Sequence, residues 1–179
     1  EGIRKLPPAH FIVVSDGGKS ISEPKCYWAV DSNSEQTQLY NYDSVKSVTD
    51  NLESLLLDSV RRRMEADVPL GAFLSGGIDS TMIVALMQSI ARKPVKTFSI
   101  GFDEEGYDEA RHAKMVAKHL GTDHSELYVS PEDTMSVLPK LSGIYDEPFA
   151  DYSQIPTFIV SELAKTQVTV SLSGDGGDE

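Results

Sequence analysis

Apolar residues recur along most of the chain with the spacing of helices or of short strands. From residue 43 to 66 they stand at Val45, Val48, Leu52, Leu55, Leu56, Val60 and Met64, three and four apart, which lays one stripe along a helix. Pro69 ends it. Residues 71–74 predict a short strand, and residues 79–91 return to the helical spacing with Ile83, Leu86, Met87 and Ile90 on one face. Residues 95–102 are mostly β-favouring and predict a second strand. A helix is expected over 108–120, with Ala110, Ala113, Val116, Ala117 and Leu120 inward and Gly121 as its stop. A strand at 126–129 follows. Ser130, Pro131 and Asp133 then supply a capping serine, a proline at the first position and an acid at the third. That helix is expected to break or restart at Pro139, before Tyr145. Residues 153–165 predict one more helix and 168–172 a final buried strand, and no internal repeat is present.

The N-terminal part reads differently. Two apolar stretches, residues 11–14 and 27–30, flank a turn-like Asp16, Gly17, Gly18, Lys19 and predict a hairpin. The polar run that follows has nothing to bury and is expected to link the hairpin to a main domain starting near Tyr42. Within the main domain the order of strands and helices implies an α/β fold, a parallel sheet covered on both faces through right-handed crossovers. Ligands of such folds bind beyond the C-terminal strand ends, at a topological switch point. Two of these strand ends carry the main domain's glycine-rich clusters.

Composition narrows this picture. A chain of 179 residues, 40% hydrophobic and 8% aromatic, suits one domain with an appendage. Against 28 acidic side chains stand 16 basic ones, a net charge of −12, so gripping nucleic acid or anionic lipid through bulk charge is not expected and any anion must be held locally. No apolar run approaches the roughly 18 residues of a membrane span, and the first residues lack a signal-peptide core, so a soluble cytoplasmic protein is expected. The single cysteine, Cys26, excludes an intrachain disulfide and fits a reducing compartment. The last residues are a Gly/Asp-rich loop directly after a strand, an unusual place for a domain to end, and a fragment is expected.

The candidate chemistry begins where Phe73 and Leu74 run into Ser75, Gly76, Gly77, Ile78, Asp79, Ser80 and Thr81. A strand, two adjacent glycines and a helix start aim backbone N–H groups and the positive helix end at one point, an anion site. Ser75 and Ser80 add hydroxyls, and the Asp79 carboxylate would repel phosphate unless a divalent cation bridges them. The Walker pattern fails because Asp79 stands where a lysine is required before Ser80. The dinucleotide fingerprint and the nucleophile elbow fail on their glycine spacing.

The Ser-Gly-Gly-Ile-Asp-Ser stretch resembles the pyrophosphate-binding loop of the ATP pyrophosphatase (PP-loop) superfamily, and within it the synthetase domain of glutamine-hydrolysing asparagine synthetases. The likeness extends over Asp67 to Leu74, Thr97 to Phe102, Asp108 to Arg111, Ala117 to His124, Asp146 to Asp151 and Ser171 to Glu179, in the family's order. The second Ser-Gly-acid-Gly-x-Asp-Glu loop separates this family from relatives such as GMP and NAD synthetases. The resemblance implies a three-layer Rossmann-like (adenine nucleotide alpha hydrolase-like) parallel sheet flanked by helices, with a short N-terminal β segment. It divides the chain into residues 1–31, the tail of a glutamine amidotransferase domain, a linker at 32–42, and residues 43–179, the N-terminal part of the synthetase domain.

It also implies a reaction. The side-chain carboxylate of aspartate attacks the α-phosphorus of ATP, pyrophosphate leaves, and ammonia from a glutaminase domain absent here displaces AMP to give asparagine. Carried over by motif, Ser75, Gly76, Gly77, Asp79 and Ser80 are expected to cradle the β- and γ-phosphates, and Asp79 and Asp178 to bind Mg²⁺. Leu74 and Ile100 are expected to meet adenosine, with Ser173 and Gly174 lining the nucleotide from the second loop. Asp175 matches a position important for forming the intermediate, where many members have Glu. A homologue acting on another carboxylate, such as a sugar or β-lactam precursor, and a non-catalytic nucleotide-binding domain are the alternatives. The family's synthetase domain continues beyond residue 179 and supplies a catalytic lysine, so this stretch alone is expected to be inactive. A homodimer is among the assemblies the resemblance allows.

The remaining candidates read more simply. Arg61, Arg62 and Arg63 suit a solvated helix end, and Asp103, Glu104, Glu105, Asp108 and Glu109 an acidic solvated loop. His112, His119 and His124 lack a ligand spacing and are expected in structural or surface roles. Asp146, Glu147 and Asp151 are candidates to face the substrate pocket. Cys26 is not the amidotransferase nucleophile, which in the family is the first residue of the mature chain, and is expected to be a buried or incidental thiol.

Overall fold

A computed structural model describes residues 4–29, 44–102, 109–145 and 150–177. The chain divides into two compact units, Glu1–Ser47 and Val48–Glu179.

The first unit is a pair of nested antiparallel ribbons. The inner one joins β2 (Val14–Ser15) to β3 (Ser20–Ile21), with Val14 opposite Ile21. The outer one joins β1 (His10–Phe11) to β4 (Lys25–Cys26), with His10 opposite Cys26. The turn sits where expected, at Asp16–Gly18, with Gly17 and Gly18 at φ +65° and +94°. The expected partner strand at 27–30 does not form: Tyr27 and Trp28 lie beyond β4, exposed, and Val30 is outside the described residues. The physical reason is register. A connection of four residues, 16–19, pairs Val14 and Ser15 with Ile21 and Ser20, whatever the apolar content farther on.

The second unit is a four-stranded parallel sheet in the order β7-β6-β5-β8, built from β5 (Leu70–Phe73), β6 (Lys96–Phe102), β7 (Asp123–Val129) and β8 (Val170–Leu172). Alternation along β5 and β6 assigns the faces. Ala72 and Leu74 pack with Val84 and Met87 of α2 (Ile78–Ile90), Ala113 and Ala117 of α3 (Glu109–Leu120) and Val60 of α1 (Val45–Met64). Phe73 and Phe98 turn the other way, onto Val160, Leu163 and Ala164 of α5 (Gln154–Lys165). Ile100 and Phe102 meet Val137 and Leu141 of α4 (Pro131–Ile144) and Ile159 of α5. The expected α/β architecture, a parallel sheet with helices on both faces, is therefore present.

Local chemistry explains the close fits. Three alanines of α3, at 110, 113 and 117, are buried, which lets that helix lie near the sheet. A Cβ on Gly71 would stand 2.8 Å from both the Lys96 carbonyl oxygen and the Phe98 ring, so only glycine fits where β5 meets β6. Lys96 Nζ donates to Asp123 Oδ2 at 3.0 Å and to Gln167 Oε1 at 2.8 Å, tying the N-terminal end of β6 to its surroundings.

One expectation about a helix needs correction. α4 runs unbroken through Pro139. Proline removes one helical hydrogen bond, to the Met135 carbonyl, and both residues sit on the exposed side, where water can satisfy the freed oxygen. A capping box at Ser130 and Asp133 secures the start of that helix. The stripe on α1 is not buried along its length: Val45 is 81% exposed and Leu55 70%, and the core reaches the helix only at Val60 and Met64. Among the described residues, no helix is long and apolar enough to cross a membrane.

Candidate nucleotide-binding site

From β5 the chain steps outward to β6 and then β7, and it returns with β8 on the opposite side of β5. The strand order therefore reverses between β5 and β8. There the two connecting loops diverge from neighbouring strand ends, and a parallel sheet leaves a crevice. A cavity of about 610 Å³ occupies it.

Its walls hold most of the residues singled out from the sequence. Leu74, Ser75, Gly77, Asp79 and Ser80 come from the loop after β5 and the start of α2, Ile100 from β6, and Ser173, Gly174 and Asp175 from the loop after β8. Gly76 is not on the cavity wall. It turns at φ +85°, and a Cβ there would lie 2.8 Å from both Ala113 N and His112 Cβ, so its role is to bring the loop against α3. Asp178 lies outside the described residues, as do Asp103, Glu104, Glu105, Asp108, Asp146 and Glu147.

Side chains brace the first loop. Ser75 Oγ lies 2.9 Å from Ser80 Oγ and accepts from Gly77 N–H at 3.3 Å, while Ser75 N–H donates to Ser80 Oγ at 3.3 Å. The first helical bond of α2 is Thr81 N–H to the Gly77 carbonyl at 3.1 Å. The N–H groups of Ile78, Asp79 and Ser80 therefore precede any helical acceptor and remain available to an anion at the helix N-terminus.

The second loop closes directly on the first. A Cβ on Gly174 would stand 2.6 Å from Ser80 N, and one on Gly177 2.8 Å from Asp79 Oδ1. The contact at 174 is with backbone that cannot give way, so glycine there lets the two loops share one floor, whereas at 177 the Asp79 side chain would have to shift. Asp79 stands at their junction.

The cavity is acidic. Asp79, Glu109, Asp151 and Asp175 line it, with no lysine, arginine or histidine among its lining residues. The carboxyl of Asp151 is held below its ordinary range because Ser153 N–H donates to Oδ1 at 2.8 Å and the Ser153 side chain adds to it. Such a wall would repel a bare polyanion and accommodate one carrying divalent cations. Among the described residues no three of His, Cys, Asp and Glu converge on one point.

Several lining residues were missed or read otherwise. Glu109, expected in a solvated loop, opens α3 and lines the cavity, and Ser153, Pro156 and Thr157, not singled out from the sequence, form the wall at the start of α5 beside Asp151, which was a candidate to face the substrate pocket. The usable signal was topological: a helix start beyond a neighbouring strand end belongs to the same crevice. Cys26 is exposed, its thiol donating to the Trp28 carbonyl at 3.0 Å. Arg62 pairs with Asp58 on the exposed flank of α1, as a solvated helix end should.

The chain is similar to known proteins over most of its length. The family model described as asparagine synthase matches residues 51–179. A putative glutamine-hydrolysing asparagine synthetase 2 of Methanocaldococcus jannaschii is 48% identical over 77% of this chain and 27% of its own length. Glutamine-hydrolysing asparagine synthetase 1 of Bacillus subtilis is 39% identical over 99% of this chain and 27% of its own. A Gibberella zeae protein named amidase chry2 is 25% identical over the whole chain and 28% of its own length. The chain thus spans little more than a quarter of these relatives.

Proposed function

Since the chain belongs to the asparagine synthase family, we propose that it forms the nucleotide-binding part of an ATP-dependent amide-forming ligase. The observation that carries this reading is the meeting of two glycine-rich loops across the β5/β8 reversal, with Asp79 at their junction.

In this reading the N–H groups at the start of α2, with Ser75 and Ser80, hold the β- and γ-phosphates. Leu74 and Ile100 meet the adenosine, and Ser173 and Gly174 close over the nucleotide. Asp79 and, as expected from the sequence, Asp178 would hold Mg²⁺, which would supply positive charge to offset that of the phosphates. The remaining task is positional: to keep a carboxylate in line with the α-phosphorus and keep water from the acyl-adenylate. Asp175, one methylene shorter than the Glu common in the family, takes the expected role near the reacting carboxylate. The acceptor we propose is the side-chain carboxylate of aspartate, with ammonia delivered from a glutaminase domain whose tail is residues 1–31. A second reading, a homologue acting on another carboxylate, draws support from the relative named an amidase.

Pyrophosphate exchange into ATP separates these readings. The full-length polypeptide should exchange label when aspartate is supplied. Exchange supported only by a different carboxylate would favour the second reading, and nucleotide binding without exchange for any carboxylate would leave a non-catalytic nucleotide domain.

A further inference from the structure

On the α3 side of the sheet, behind the cavity wall, lies a polar network that the proposed reaction does not use. The β6 side chains on this face are Thr97 and Ser99, only 0% and 3% exposed, where a buried strand ordinarily carries apolar groups. Parallel register sets Thr97 beside His124 and Ser99 beside Glu126 of β7. The His124 ring bridges both hydroxyls: Nδ1 lies 2.9 Å from Thr97 Oγ1, and Nε2 lies 3.3 Å from Ser99 Oγ. Thr97 Oγ1 also lies 2.9 Å from Thr122 Oγ1. A run of four polar groups thus ends at Ser99, and Ser99 sits on the cavity wall between Phe98 and Ile100.

Strand pairing alone does not call for this arrangement. Apolar side chains of similar volume would join β6 to β7 without desolvating three hydroxyls and an imidazole. What the network supplies is direction, because a ring bonded at both nitrogens has one orientation and fixes the two hydroxyls it meets. Burial holds the ring below its ordinary pKa; the Glu126 carboxylate on β7 opposes this, and Lys114 of α3, paired with Glu126, reinforces it. One ring nitrogen therefore donates and the other accepts at neutral pH.

We infer that His124 is a positioning residue for the nucleotide cavity, acting through Ser99 to hold residues 98–100 of β6 where the adenosine lies. The inference rests on the ATP reading above. Its test is ATP–pyrophosphate exchange by the full-length polypeptide carrying His124→Phe, Ser99→Ala, both, His124→Gln or His124→Asn. Each of the first two should raise the KM for ATP about three- to tenfold, the worth of one net hydrogen bond, and leave kcat within about twofold. The double variant should do no worse than the more affected single one, because both remove the same contact. Glutamine places its amide near Nε2 and should restore the KM, whereas asparagine reaches only the Nδ1 position and should not.

An unchanged KM in Ser99→Ala, or equal behaviour of the Gln and Asn variants, overturns the inference. That outcome holds even if His124→Phe fails to fold. If the unaltered polypeptide neither binds ATP nor exchanges pyrophosphate, the ATP reading falls and takes this one with it. Exchange that is intact and indifferent to all five variants removes the positioning role alone.

Discussion

Gly174 sets how closely the second loop approaches the first. A methyl group there would sit 2.6 Å from Ser80 N and 2.8 Å from the Asp79 carbonyl carbon, so the second loop must retreat from the first to admit it. Gly174→Ala is expected to cost about 1–3 kcal/mol in overpacking and to weaken ATP binding at least about tenfold, the equivalent of 1.4 kcal/mol. Denaturant titration and calorimetry of the same protein check the two effects. His124 offers a test of a different kind. A folded-state pKa below the unfolded value means that the native chain holds fewer protons than the unfolded one. Its contribution to stability is therefore present above the ordinary value of 6.5 and lost as pH falls from there through the folded pKa. Proton NMR should find the His124 ring titrating below 6.5, and a midpoint at or above that value would contradict the burial described.

Among the elements, α4 tests how local signals combine. Its capping box joins Ser130 Oγ to Asp133 N–H at 3.1 Å and Asp133 Oδ2 to Ser130 N–H at 3.0 Å. Ser130→Ala should cost about 0.5–2 kcal/mol. Pro139→Ala, at an exposed position inside a continuous helix, should instead stabilise the protein, by up to about 3 kcal/mol. Thermal unfolding of both variants reads the two signs side by side. The start of α4 was legible because a cap is a local interaction among neighbouring residues. Its passage through Pro139 was not, since that depends on which side of the helix meets water. The hairpin differed for a related reason: turn length set its register, and the apolar residues at 27 and 28 had no say. The main helices and strands were readable because each repeats its spacing for several turns or alternates against a buried face.

At the scale of the whole molecule, the site is a product of strand order. The residues at 74–80 and 173–175 could be read in sequence because glycine, serine and an acid stand directly after an apolar run. Glu109, Ser153 and Thr157 could not, because they reach the cavity only through the order β7-β6-β5-β8. In the proposed reading that order also explains how a chain of net charge −12 would hold a polyphosphate: the attraction would come from backbone N–H groups and a shared cation at one crevice, with no basic surface needed. The most direct measurement is calorimetric titration of ATP into the full-length polypeptide, with and without Mg²⁺, for the unaltered protein and for Asp79→Ala. The account predicts Mg²⁺-dependent binding that Asp79→Ala weakens at least about tenfold, a loss of 1.4 kcal/mol or more. Equal affinity in the two proteins, or binding indifferent to Mg²⁺, would contradict it.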